Sequence, residues 1–203
     1  MRDYIIHLIR HGETLANTEK KYIGKTDLPI TEEAKKELEA LREDGIYPAV
    51  GAVYSSPLKR CLQTARIIYP GKPLTAVEDL SEYDFGVFEG KTDSDLESSE
   101  EYRAWRAGKL DTPPEGESMS HFKERIYAGL VSVVHDMSAN DCFDAAIVTH
   151  GGVIMTLLSL CGLPQKNSLE WLSENGKGFT VRVNTGMFSR SGHVEVCGTV
   201  PEQ

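Results

Sequence analysis

Two short apolar runs in this chain end in the same way. Tyr4-Ile5-Ile6-His7-Leu8-Ile9 leads into Arg10-His11-Gly12, and Ala145-Ala146-Ile147-Val148-Thr149 leads into His150-Gly151-Gly152. Each run is too short for a core helix and lacks the polar alternation of a half-exposed strand. Each therefore reads as a β-strand covered on both faces, as in a parallel sheet. In open sheets of that kind, ligands gather beyond the carboxyl ends of the strands. A strand that delivers a basic residue and then glycine to that edge suits an anion. The glycine lets the backbone turn sharply and lets the anion come close.

The sequence between these runs alternates helix and strand signals. Thr31 reads as an N-cap with Glu32 and Glu33 in the first turn; Ala34, Leu38 and Leu41 share a face, and Gly45 ends the helix. Ala49 to Tyr54 reads as a strand. Ser56-Pro57 reads as a cap followed by proline, opening a helix to about Tyr69. Leu74 to Leu80 is a further strand candidate. The polar, acidic stretch from Ser94 to Glu117 is expected to hold one short helix around Glu100 to Arg106. Phe122, Ile126, Leu130, Val133 and Met137 mark a long amphipathic helix, and Val153 to Leu160 an apolar one. Phe179 to Val183 and His193 to Val196 read as strands joined through turn signals at Asn184-Thr185-Gly186 and Ser189-Arg190-Ser191-Gly192. The expected class is α/β: a three-layer sandwich, with a mostly parallel central sheet and helices on both faces, in one domain over residues 1–203.

Charge narrows the partners. With 22 Lys and Arg against 31 Asp and Glu, the chain carries a net charge of -9. That excludes nucleic acid and an anionic membrane as expected partners, and an anion site must gather its few cations locally. Cys61, Cys142, Cys161 and Cys197 have no metal-ligand spacing and read as reduced thiols of a cytoplasmic protein. The N-terminal apolar run is broken by His7 and closed by Arg10, unlike a signal peptide. His7 is expected to pack in the core, and His121, His135 and His193 to lie on the surface.

Arg10-His11-Gly12-Glu13-Thr14, with Asn17 beyond it, resembles the signature of the histidine phosphatase superfamily, also called phosphoglycerate mutase-like. Further segments resemble the family in the same order. Ser55-Ser56-Pro57-Leu58-Lys59-Arg60, with Thr64-Ala65, is similar to its second phosphate-binding segment. Leu80-Ser81-Glu82, followed by Gly86-Val87-Phe88-Glu89-Gly90, is similar to the segment that supplies its acid. Pro114-Glu115-Gly116-Glu117-Ser118 and Thr149-His150-Gly151-Gly152 complete the set. The resemblance implies a phosphoglycerate mutase-like fold and a phosphoryl-transfer enzyme without cofactor or metal, acting on a small phosphorylated substrate. It implies that His11 is the nucleophile and that Arg10, Arg60 and Asn17 hold the phosphoryl oxygens with the Gly151 turn. His150, if protonated, would add positive charge, and Glu82 would be the general acid. Tyr22, Ile23 and Gly24 become candidate substrate-binding residues. On composition alone Glu78, Asp79, Asp84 and Glu89 qualify for the acid as well as Glu82; only the resemblance selects Glu82.

The superfamily contains hydrolases and mutases. Mutases carry a polar residue where this chain has Ile23, basic side chains where it has Tyr83 and Asp84, and usually Asn where it has Gly152. Their insertion before the second histidine is longer and more basic. Here residues 91–117 hold four Lys or Arg against eight Asp or Glu. These departures imply hydrolysis of a phosphomonoester through a phosphohistidine, in a branch resembling α-ribazole phosphatases and related small-molecule phosphatases. The alternatives are mutase-type phosphoryl transfer and a non-catalytic phosphate-binding module. Oligomeric state stays open.

Overall fold

The structure, a computed structural model, describes residues 2–201. Strands β1 (Asp3–Arg10), β2 (Ala52–Ser55), β3 (Leu74–Ala76), β4 (Asp144–Thr149), β5 (Gly162–Leu163), β6 (Gly178–Asn184) and β7 (Val194–Val200) form one sheet in the order β3-β2-β4-β1-β6-β7-β5. β3, β2, β4 and β1 are parallel neighbours, and β6 is antiparallel to both β1 and β7. The expected mostly parallel sheet is therefore present.

Successive side chains of the central strands serve opposite faces, as the strand period requires. Ile6, Leu8, Ala145 and Ile147 pack against helices α6 (Met119–Ala139) and α7 (Gly151–Cys161) through Phe122, Ile126, Leu130, Val153, Ile154 and Leu157. Ile9, Ala146, Val148 and Val53 pack against α2 (Glu32–Glu43) and α3 (Lys59–Ile68) through Ala34, Leu38, Cys61, Ala65 and Ile68. The strands read as continuous apolar runs because both of their faces are buried. β1 is followed by α2 on one face of the sheet, and its neighbour β4 by α7 on the other. Their carboxyl ends therefore flank a topological switch point, where such a sheet opens a crevice.

Several local expectations fail for identifiable reasons. Helix α3 begins at Lys59, with Leu58 at its cap and no side-chain cap bond. The Ser56 hydroxyl lies 2.8 Å from His150 Nε2 and keeps only a long 3.4 Å bond from the Leu58 N–H, so its stronger partner is tertiary. The strand from Leu74 ends at Ala76, and Glu78–Leu80 turns into a 3-10 helix. The acidic insertion holds two helices, α4 (Asp93–Leu96) as well as α5 (Glu100–Arg106), the first opened by a capping box on Thr92 and Asp95. The stretch between β6 and β7 is a helix, α8 (Thr185–Ser191). The Asn184 side chain caps its start and left-handed Gly192 its end, so residues read as turn signals are helix stops. Helix α1 (Leu15–Thr18) also escaped the periodicity, being a single turn closed by a Thr14–Asn17 capping box.

A candidate active site at the ends of β1 and β4

β1 and β4 are in register from Ile5–Asp144 to Arg10–Thr149, so His11 and His150 leave the sheet side by side. Their rings lie 5.2 Å apart at 65°. Both are buried, with His150 sealed. His11 Nδ1 is 2.7 Å from the carbonyl oxygen of Gly12, its own neighbour. A carbonyl only accepts, so Nδ1 carries the proton and Nε2 carries a lone pair. Burial, then the Arg60 and Arg10 charges, push the His11 pKa down to about 3, outweighing the Gly12 bond. The imidazole is therefore neutral at neutral pH, with its lone pair on Nε2.

His150 is neutral too. The Arg60 Nε–H donates to its Nδ1 at 3.2 Å, which leaves the proton on Nε2, facing Ser56 Oγ. Burial and the neighbouring Arg60 hold it well below the ordinary histidine range. The resemblance gives His150 a positive charge only if it is protonated; with its Nδ1 accepting from Arg60, the fixed positive charge in this site belongs to the arginines. Cys61 Sγ sits 3.5 Å from His150 Nε2, and burial pushes its thiol up, so it is an uncharged packing wall.

Arg60 is 1% exposed although it lies in the first turn of a helix. Besides His150, its guanidinium donates to the carbonyls of Thr26 (2.8 Å) and Gly24 (2.7 Å). The loop bearing those carbonyls is held in turn by Glu89, which accepts from the backbone of Gly24, Lys25 and Thr26 and from the Thr26 hydroxyl. Arg10 donates through one terminal nitrogen to the Ser173 carbonyl at 2.7 Å. Its Nε–H is buried without an acceptor among the described residues. A buried arginine donor left unpaired beside two imidazoles fits an anionic ligand.

Glu82 is the carboxylate that reaches this group. Its Oε2 accepts from the Gly152 N–H at 3.0 Å and its Oε1 from its neighbour Tyr83 at 2.9 Å. Burial raises its pKa and outweighs those two hydrogen bonds and the charges of Arg60 and Arg10. A Cβ at residue 152 would lie 2.4 Å from Oε1, so glycine is what lets the carboxyl approach the helix start. The other carboxylates are engaged elsewhere or exposed: Glu89 on the loop, Asp84 on Lys25 at 2.7 Å and on the Gly86 N–H, and Glu78 and Asp79 on the surface.

The remaining candidate residues divide. Asn17 Oδ1 accepts from the Thr14 N–H and hydroxyl, which occupies the acceptor end of the amide. Gly12 and Gly151 do not adopt positive φ, contrary to the sharp turn expected of them. Gly12 admits Leu38 of α2, and Gly151 admits the Arg10 guanidinium. Of the loop candidates, Gly24 is jammed against the Tyr83 carbonyl and serves Arg60. Tyr22 packs on Phe85, Tyr102 and Trp105, with its hydroxyl shared between Asp93 and Tyr102. Ile23 lines an apolar cavity of about 500 Å³ with Leu15, Leu28 and Pro29. His7 is buried beside Thr180; His121 and His135 are exposed and His193 is half-buried. Sequence reasoning gave no role to Ser173 or Asn175, whose amide donates to the His11 carbonyl at 2.9 Å. Their stretch carries no motif, and it reaches the site by crossing over the end of β1. Among the described residues no cluster of three His, Cys, Asp or Glu is placed to hold a metal.

A sequence profile of the histidine phosphatase superfamily (branch 1) matches residues 6–189, and this chain belongs to that family. A relative from Yersinia pestis (strain Pestoides F), named probable phosphoglycerate mutase GpmB, is 34% identical over 167 residues, covering 78% of this chain and 75% of its own length. Among solved structures, the α-ribazole phosphatase from Shigella flexneri matches with a TM-score of 0.75 at 25% identity, covering 95% of this chain and 94% of that one. A phosphoglycerate mutase from Thermus thermophilus matches with a TM-score of 0.70 at 28% identity, covering 97% and 98%. The phosphoglycerate mutase-like fold is thus established, and the relatives' names span both reactions.

Proposed function

We propose that this protein hydrolyses a small phosphomonoester through a phosphohistidine on His11. The observation that carries the reading is geometric: the Gly12 carbonyl holds the His11 Nδ1–H and leaves the lone pair on Nε2, while the buried Glu82 carboxyl is held on the Gly152 N–H, two residues past His150. The His11 Nε2 lone pair attacks phosphorus in line, and the bond from phosphorus to the ester oxygen breaks. The Gly12 carbonyl, facing Nδ1–H, stabilises the positive charge that develops on the ring. Arg10 and Arg60 hold the phosphoryl oxygens, Asn17 and Gly151 line the same group, and His150, its Nε2–H engaged by Ser56, packs edge-on against the His11 ring. Protonated Glu82 gives its proton to the leaving oxygen. As carboxylate it then takes a proton from the water that attacks the phosphohistidine, which restores both groups. The arginines supply the positive charge, so neither metal nor cofactor enters the scheme. Its four cysteines are unpaired, in keeping with a cytoplasmic setting. Among the described residues no helix is long and apolar enough to cross a membrane.

Hydrolysis rather than phosphoryl return is supported by what surrounds the acid. Tyr83 is buried among Phe85, Trp105 and Phe122, and Asp84 cancels the charge of Lys25. Neither position offers the uncompensated positive charge that a second phosphate or a carboxylate on the substrate would need. The test is a screen of phosphorylated metabolites, including sugar phosphates, nucleotides, α-ribazole phosphate and phosphoglycerates, with alkaline quenching to preserve a base-stable phosphoramidate. His11→Ala should abolish labelling and turnover. Labelling that survives, or maps to a serine, would refute the nucleophile. Isomerisation of 3-phosphoglycerate faster than hydrolysis of the best ester would replace the hydrolase reading with the mutase one.

A further inference from the structure

Arg125 lies on α6, three residues after Phe122, on the flank of the apolar stripe. Every N–H of its guanidinium is used. Nε and one terminal nitrogen grip the two oxygens of Glu117 at 2.7 and 2.8 Å. The same terminal nitrogen reaches the Glu82 carbonyl at 2.9 Å, and the other reaches the carbonyls of Asp79 (2.9 Å) and Ser81 (2.7 Å). The carbonyl between these, Leu80, accepts from the Thr149 hydroxyl at 2.7 Å. Four consecutive carbonyls leading up to and including Glu82 are thus fixed by side-chain donors, three of them by one guanidinium. Glu117 also ties the far side of the acid, since its own N–H donates to the Asp84 carbonyl at 3.0 Å. Beyond the single 3-10 turn Glu78–Leu80 the acid-bearing segment has no ladder of its own, so its geometry depends on these bonds.

We propose that Arg125, oriented by Glu117, is a positioning residue for the Glu82 carboxyl. The inference rests on Glu82 being the general acid. Arg125 and Glu117 form a largely shielded pair, with side chains 14% and 9% exposed. Such a pair adds little net stability but fixes geometry, because the planar fork accepts only one arrangement of acceptors. Lysine retains the charge and loses the fork. The carboxyl would then keep its bonds to Gly152 and Tyr83 only on a backbone free to shift.

The experiment compares single-turnover phosphoryl transfer from an alkyl phosphate and from a nitrophenyl phosphate in Arg125→Lys, Glu117→Gln and Glu82→Gln. A displaced acid matters for the strongly basic alkoxide and little for nitrophenolate. Arg125→Lys should lose about ten- to a hundredfold on the alkyl ester and stay within about threefold of the parent on the nitrophenyl ester. Glu117→Gln should move the same ratio in the same direction by less. Added guanidinium should restore part of the alkyl-ester rate to Arg125→Ala. A rivet that merely holds the fold would change both esters together, or neither, and that result in folded Arg125→Lys overturns the proposal. If Arg125→Lys does not fold, Glu117→Gln decides by the same ratio. The double variant Arg125→Lys, Glu82→Gln should show no more leaving-group dependence than Glu82→Gln alone, and a further additive loss would count against the coupling. Should Glu82→Gln itself show equal losses on both esters, the reading of Glu82 fails and takes this one with it. Selective loss in Glu82→Gln without selective loss in Arg125→Lys sinks the positioning role alone.

Discussion

Replacing Gly152 with alanine sets a methyl group against the Glu82 carboxyl. The added Cβ would stand 2.4 Å from Oε1, 3.0 Å from Cδ and 3.1 Å from Oε2. Ordinary contact begins near 3.4 Å, so the nearest oxygen must retreat by about 1 Å. It cannot swing into water, because the side chain is buried and both oxygens are held by backbone N–H groups. A misplacement of about 1 Å at a reacting group costs on the order of a hundredfold. That loss should fall on alkyl esters, whose alkoxide needs the proton, and barely on nitrophenyl esters. Labelling of His11 by the nitrophenyl ester should persist. Stability should change little, since residue 152 lies in the first turn of α7 and alanine gains up to about 1 kcal/mol of helix propensity over glycine, offsetting the crowding. The assay is rapid-quench single turnover on both esters, alongside a melting curve. Alkyl-ester transfer at the parental rate in folded Gly152→Ala would show that the carboxyl need not sit where the structure places it. Equal losses on both esters would point to a general disturbance of the phosphate site.

Further outcomes follow from the same geometry. By NMR titration His11 should stay neutral from pH 8 to pH 5, because its pKa is held down to about 3; a midpoint near 6.5 would contradict the buried, Nδ1-protonated ring. The linked stability has a definite sign. A histidine of depressed pKa favours the unfolded chain once that chain takes up the proton, so stability should fall as pH drops below about 6.5, by about 1.4 kcal/mol per unit per group until the folded pKa is reached. His11→Asn, compared by denaturant melts across that range, should lessen the slope. Glu89→Gln should loosen the 24–26 loop and with it Arg60, weakening competitive inhibition by inorganic phosphate about three- to tenfold while keeping the alkyl-to-nitrophenyl ratio; an altered ratio would instead make Glu89 part of proton transfer. Exhaustive dialysis against chelator should leave turnover intact, and loss restored only by a divalent cation would overturn the arginine-based scheme.

The parts of this protein that could be read from its sequence share one property: the signal is the residue itself. β1 and β4 announce themselves because strands covered on both faces must be apolar throughout, and α2 and α6 because one face must be. His11 and His150 stand out because a buried strand rarely ends in histidine and glycine. Where structure rests on local contacts too brief for a period, the reading failed. Helix α8 buries no residue fully, so its caps Asn184 and Gly192 looked like turns. Ser56 obeyed a local rule that His150 overrode. The support of the site was hidden for a deeper reason. Arg60 is held by the carbonyls of Gly24 and Thr26, Arg10 by that of Ser173, and Glu82 through the carbonyls of Asp79, Ser81 and its own residue. Every residue owns a carbonyl, so residue identity says nothing about which ones are aimed at a guanidinium. Only the donor leaves a trace in the sequence, and Arg125, spaced three residues from Phe122 on a surface helix, looks like any solvated arginine until the fold closes around it.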